Sequence, residues 1–233
     1  MKYSLVSVDI IFLLCKAAFA APAFVQGNAV DGSSTLAFSS DVSANSLLVA
    51  TVRCGANSIM SVSDSRNGSY SSGFSFYDGT TGDTLGIFYY PNSASGSDTV
   101  TVASCGGSIR FTISEYSGMA LSSVLDQVNS GTGTGVISCT TANITTTQDS
   151  ELLYCGGEQG NSANWTTQSP FTNREQTTKT ESGDNIISSI GTYSCTTFGV
   201  ANDNCQNAII GFKALAASSQ PNVPRRILFT TDD

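Results

Sequence analysis

Glu115 is the carboxylate best placed for chemistry, near the end of an apolar stretch in Ile113-Ser-Glu-Tyr-Ser-Gly118. A glycosidase acid there needs a second carboxyl roughly 5–9 Å away. On a sheet, the alternate positions of the same strand would supply it. Ile113 and Ser117 occupy those positions, so Glu115 reads first as a strand-end carboxylate accepting backbone or hydroxyl hydrogen bonds. Glu158, after Cys155-Gly-Gly157, is the alternative acid and has no visible partner either. Histidine is absent, which excludes Ser-His-Asp and Cys-His nucleophiles and every His-ligated metal. Any enzyme here would need carboxylates, Tyr, Lys or an unusual nucleophile; a non-enzymatic chain is the leading expectation, and a carboxylate-based glycosidase or polysaccharide lyase is the alternative.

Aromatic side chains suggest a different chemistry. Trp165, the one tryptophan, lies in the polar stretch from Asn161 to Gln168, and Tyr89 and Tyr90 precede Pro91. Exposed rings stack on sugar faces while Asn and Asp bind the hydroxyls. Trp165, Tyr89 and Tyr90 are thus the predicted ligand contacts of a carbohydrate site, although core packing is the plainer account of the same rings. Asp64 and Asn67 have the oxygen-rich character of a calcium loop. Asn67-Gly68 is also a strong hairpin signal, and the turn explains these residues without a metal. No metal or cofactor is predicted.

The cysteines point to the compartment. Met1 to Ala20 reads as a signal peptide: Lys2, an apolar Ile10-Ile-Phe-Leu-Leu-Cys15, and Ala18-Phe-Ala20 as the cleavage site. That apolar run is too short to span a bilayer. Its removal takes away Lys2, Lys16 and Asp9, which moves the formal charge from −8 to −9, and leaves Cys54, Cys105, Cys139, Cys155, Cys195 and Cys205. Six cysteines in an exported chain form up to three disulfides. The expected pairing is Cys54 with Cys105, Cys139 with Cys155 and Cys195 with Cys205, each contributing about 2–4 kcal/mol. No Cys-x-x-Cys spacing occurs, which disfavours a zinc-thiolate cluster. Asn67-Gly-Ser, Asn143-Ile-Thr and Asn164-Trp-Thr are glycosylation sequons. The chain is expected to be secreted.

The elements that must position these residues are strands. Charged residues make up 12% of the 233, half the usual share, and Ser, Thr, Gly and Asn take their place. Such a composition suits exposed strand faces and turns, not long solvated helices. With no Lys/Arg stripe, nucleic acid is not an expected partner. Leu47 to Val52 is a nearly continuous apolar run, the mark of a strand buried on both faces. Tyr70, Ser72, Phe74 and Phe76 are predicted to share one strand face; Ile109, Phe111 and Ile113 alternate likewise, as do Val100 and Val102. Leu85 to Tyr90 and Ala208 to Phe212 are further core strands, and no window shows helical periodicity. The predicted fold is an all-β, antiparallel, jelly-roll-like sandwich over residues 21–215, stapled by disulfides, with a C-terminal tail over 216–233. In that tail Ile227-Leu-Phe229 is apolar enough to add a strand to an open sheet edge.

Phe38-Ser-Ser-Asp-Val-Ser-Ala-Asn-Ser-Leu-Leu48 faintly repeats as Thr141-Ala-Asn-Ile-Thr-Thr-Thr-Gln-Asp-Ser-Glu-Leu-Leu153, each followed by an apolar strand. Shared turn chemistry and an internal duplication both account for this. Four segments taken together carry a family resemblance: Ser61-Val-Ser-Asp-Ser-Arg-Asn-Gly-Ser-Tyr70, Ile113 to Gly118, Leu125-Asp-Gln-Val-Asn-Ser-Gly-Thr-Gly133 and Ser150-Glu-Leu-Leu153. In order and spacing, over roughly residues 24 to 215, they resemble a β-sandwich domain that recurs in secreted and surface proteins of bacteria and in phage proteins. That family is similar in architecture to concanavalin-like jelly rolls, has no assigned activity and supplies no functional residue, and its members are usually poor in cysteine. The expectation is an extracellular module with a structural, adhesion or assembly role, its partners a glycan or further copies of itself.

Overall fold

β-Branched and aromatic residues fill the periodic stretches, and each of those stretches forms a strand. The computed structural model describes residues 21–161 and 165–216; the predicted signal peptide, the Asn164 sequon and the tail with Ile227 to Phe229 lie outside them. The first half comprises β1 (Ala23–Asp31), β2 (Thr35–Ala37), β3 (Leu47–Cys54), β4 (Ser61–Asp64), β5 (Gly68–Ser69), β6 (Ser71–Asp78), β7 (Asp83–Tyr90), β8 (Thr99–Ala103) and β9 (Ile109–Ser117). The second comprises β10 (Leu125–Thr140), β11 (Ile144–Thr145), β12 (Glu151–Gln159), β13 (Thr166–Thr167), β14 (Thr172–Gln176), β15 (Thr180–Ile187), β16 (Thr192–Tyr193) and β17 (Thr196–Lys213).

The first half is a jelly roll, a long antiparallel hairpin rolled onto itself. β1 pairs with β9, β2 with β8, β3 with β7, and β4 with β5. The inner sheet has the order β1-β9-β3-β7-β6 and the outer sheet β2-β8-β4-β5. The second half repeats the plan in an inner sheet of order β10-β17-β12-β15-β14. Its first two strands are run together as β10 and its last two as β17, so Leu125 pairs with Phe212 while Thr140 pairs with Thr196.

The repeat extends to its irregularities. β1 carries a bulge between Phe24 and Gln26, opposite Tyr116 and Glu115; β10 carries one between Leu125 and Val128, in the matching place opposite Phe212 and Ile210. A second pair of bulges lies between Ser72 and Phe74 in β6 and between Asn173 and Glu175 in β14. Bulges are specific features of a fold, and two at the same register mark the halves as one design used twice.

The two inner sheets pack face to face, β1 against β14 and β6 against β10 and β17. A pseudo-twofold relation therefore links the repeats, and their outer layers lie on opposite sides. Three apolar layers result. Leu48, Ala50, Val52, Phe111 and Ile113 fill the first jelly roll; Leu153, Cys155, Ile187 and Ile209 fill the second. Between them Leu47, Val49, Ile87, Tyr116, Tyr154, Ile210 and Phe212 join the two inner sheets. β3 is buried along both faces because it has a layer on each side, as its unbroken apolar run requires.

One expected face is not a single face. The β6 bulge at Gly73 sends Tyr70 into the first core and turns Phe74 toward the layer between the repeats, while Phe76 is exposed. The disulfides also differ from expectation. Cys54 joins Cys105 as predicted, but Cys139 joins Cys205 and Cys155 joins Cys195. Cys139 and Cys155 are not neighbours, because β10 pairs with β17 and β17 lies between β10 and β12.

Candidate functional site

Glu115 is fully buried at the point where β9 passes the start of β3. Its Oε1 accepts the Ser43 amide and the Ser46 hydroxyl, both at 2.8 Å, and its Oε2 accepts Gln26 Nε2 at 2.7 Å. The second repeat fills the same niche from the neighbouring strand. Glu151, in the place of Ser46, accepts the Gln148 amide at 3.3 Å. Opposite Leu153 the position of Glu115 is taken by Gly211, where a Cβ would come within 2.8 Å of Glu151 Oε2. A carboxylate at this corner pins the turn that leads into the central strand, whichever strand provides it. Glu115 cannot reach a substrate. Glu115→Ala is expected to destabilise the fold by about 3 kcal/mol, since it leaves the buried Ser46 hydroxyl and the Ser43 amide without their acceptor; urea unfolding of the variant measures this.

Glu158 is also fully buried, but between the repeats. Counting from the paired leucines, it stands five residues after Leu153 as Arg53 stands five after Leu48, so the two hold equivalent positions. Arg53 forms a buried two-pronged ion pair with Asp83, Nε to Oδ2 at 2.9 Å and Nη2 to Oδ1 at 2.6 Å. Gln206 Nε2 donates to Glu158 Oε1 at 2.9 Å and to the Asp83 carbonyl at 3.2 Å. Burial, then the nearby Asp83 carboxyl, pushes the Glu158 carboxyl well above its ordinary range. Arg53 was legible as the single charge within an otherwise uncharged strand, and Asp83 as an acid opening the next core strand; nothing in the sequence showed that they meet Glu158.

A further buried acid, Glu181, lies inside the second jelly roll. In the first, Phe111, Val52 and Gly86 form one cross-strand row; the equivalent row in the second is Asn207, Gly157 and Glu181. Glycine at 157 makes room, because a Cβ there would come within 2.2 Å of Glu181 Oε1 and 2.5 Å of Asn207 Oδ1. Gln159, its amide turned to donate, reaches Glu181 Oε2 at 2.7 Å, and Asn207 exchanges hydrogen bonds with Thr197. Full burial pushes the Glu181 carboxyl up to about 8, against the opposing pull of Thr197 and Gln159. Glu151 is pushed up to about 7, by burial and then by Asp126.

The predicted aromatic contacts do not share a surface. Trp165 is 0% exposed and lies with the Cys139–Cys205 disulfide, flat against Gly199, so it offers no ring face to a sugar. Tyr89 stacks edge-on with Phe212 at 5.4 Å in the layer between the repeats. Tyr90 points the other way, to Tyr70 at 5.8 Å in the first core.

The Asp64 carboxylate is occupied by its own turn. It accepts the amides of Arg66, Asn67 and Gly68 and, at 2.7 Å, Asn67 Nδ2. Partial burial pushes this carboxyl up, but these bonds outweigh it and hold the group below its ordinary value. Asn67 Oδ1 in turn accepts the Ala94 amide at 2.7 Å. Asn143 differs: it is exposed, beside β11.

A shallow groove of about 530 Å³ opens where the repeats meet, lined by Asp31 of the first and Thr166, Gln176, Thr177 and Thr178 of the second. Thr178 Oγ1 lies 3.0 Å from Asp31 Oδ1 and accepts Arg110 Nε at 2.9 Å. Hydroxyls and an amide dominate it, with the Asp31 charge balanced by Arg110. Set against protein-family models, curated proteins and solved structures, the chain matches none.

Proposed function

We propose that this chain is a secreted, non-enzymatic structural module with an adhesion or assembly role. The observation that carries the reading is the position of Glu115 and Glu158, the two acids singled out for glycosidase or lyase chemistry. Both are buried between strands and hold the fold together. Three disulfides suit an oxidising compartment. Among the described residues no helix is long and apolar enough to cross a membrane. The resemblance of four segments to surface and phage β-sandwich domains points the same way.

The carbohydrate version of this reading now falls on the hydroxyl-lined groove with Asp31 and Gln176, not on Trp165. Glycan-array binding by the purified chain, with light scattering for its oligomeric state, tests both versions. Binding weakened in Gln176→Ala supports a sugar ligand. Multimers without glycan binding support the assembly role, and hydrolysis of a polysaccharide would overturn the reading.

In a eukaryotic secretory host, Asn143 is the described sequon expected to carry a glycan, because the Asn67 amide is held inside its turn. Asn143→Gln is expected to reduce a deglycosylation mobility shift that Asn67→Gln leaves unchanged.

A further inference from the structure

The duplicated plan gives the layer between the repeats two equivalent margins. On one side β1 of the first repeat faces β14 of the second; on the other β10 of the second faces β6 of the first. The matching bulges place Glu175 of β14 where β6 has Phe74, so Arg174 corresponds to Gly73 and Thr177 to Phe76.

Polar contacts close the first margin. Arg174 stacks on the Phe24 ring at 4.4 Å and pairs with Asp184 at 2.8 Å, and the Glu175 side chain lies over Gly27. β14 has five residues, two of them charged, which is how sheet edges are commonly protected. The second margin lacks this protection. β6 has eight residues, carries no charge from Ser71 to Tyr77, and among the described residues no strand pairs with its outer edge. Gly73 places no side chain over the margin, and Phe76 is 48% exposed where Thr177 is buried. Val128 of β10 is 40% exposed; it pairs with Ile210, whose Cδ1 lies 3.0 Å from where a Gly73 Cβ would stand. The other inner-sheet edges are occupied. Gln26 and Asn28 of β1 donate to the Ser40 and Ala37 carbonyls, Asn129 of β10 donates to the Asn143 carbonyl, and the Ser130 carbonyl accepts the Ala142 amide.

We propose that β6 pairs antiparallel with β6 of a second copy, joining two five-stranded inner sheets into one; this rests on the assembly version of the function above. The strand is complementary to itself. Pairing that keeps each face continuous and centres on Ser75 sets Phe74 opposite Phe76 of the second copy, twice, and aromatic cross-strand pairs of this kind stabilise a sheet. Tyr77 stands opposite Gly73, which offers no side chain to clash. Centring on Phe76 instead would set Phe74 against the Asp78 carboxylate. Charge agrees with the Ser75 centre. Each Asp78 meets Ser72 of the other copy, and the two carboxylates stand roughly 20 Å apart along the strands, beyond the screening length of about 8 Å at physiological salt. Phe76 and Val128 are covered, and a contact that uses the same edge of both copies closes at a dimer.

Sedimentation of the full chain over a range of concentrations should show a monomer–dimer equilibrium that Phe76→Glu weakens at least about tenfold. Under a mild oxidant Ser75→Cys should give a disulfide-linked dimer, because position 75 meets its own copy at a Cα distance of about 5 Å. Tyr77→Cys stands roughly 13 Å along the strand from its own copy and should stay unlinked. The Ser75→Cys change is small and exposed, so cross-linking tests the pairing even if Phe76→Glu does not fold. Dimers that survive Phe76→Glu and leave Ser75→Cys unlinked would overturn the β6 contact while the assembly reading stands. A chain that is monomeric at every concentration would remove both.

Discussion

Replacing Cys139 and Cys205 by alanine is expected to lower stability by roughly 4 kcal/mol and the melting temperature by about 10 °C. The bond closes a loop of 66 residues, the longest of the three, and the restriction placed on the unfolded chain grows with loop length. It also has a local reporter. Trp165 is the only tryptophan and is buried against this disulfide, so its fluorescence should shift to the red before the first repeat unfolds. Differential scanning calorimetry with tryptophan emission checks both effects. An unmoved melting temperature would mean that the closing of β10 over β17 is held by strand pairing alone.

The second large effect concerns pH. A buried carboxyl whose folded value exceeds its unfolded one stabilises the fold fully below the unfolded value, and that contribution is lost as pH rises through the folded value. Glu181, pushed from the usual carboxylate range to about 8, should therefore make the protein steadily less stable between about pH 4 and pH 8. The loss is on the order of 5 kcal/mol across that window. Acid, which unfolds most proteins by protonating paired carboxylates, should be tolerated here. Glu181→Gln is expected to flatten the decline, and urea unfolding at a series of pH values measures it. A wild-type stability that rises from pH 4 to pH 8 would show Glu181 to be ionised.

Much of this architecture was legible. The Leu47 to Val52 run required a layer on each side, and the pairing of β3 with both β7 and β9 provides the sheet it lies in. Val100 and Val102 alternate with threonines as an outer strand should. The layer between the repeats was hidden, for a physical reason. Thr51, Thr112, Ser114 and Ser182 face it and are buried, yet alternation of valine or isoleucine with hydroxyl residues is what a half-solvated strand also shows. Period-two burial identifies a face but not what covers it. Cys54–Cys105 was read correctly, but the other two disulfides were missed on the same absent information, since pairings follow sheet order and not chain order. Core packing was the plainer reading of Trp165 and it is buried, but its surroundings were not legible, because neither the glycine at 199 that receives it nor the disulfide beside it is near in sequence.

The face-to-face arrangement of the two repeats has a consequence that no pair of identical chains could reproduce. In a homodimer, a residue close to the symmetry axis meets its own copy: arginine would meet arginine at position 53, or glutamate would meet glutamate. Tethering both halves in one polypeptide frees each side to change without its mirror image, and it keeps them associated at any dilution. An arginine can then stand where the other half has a glutamate, instead of meeting a second arginine.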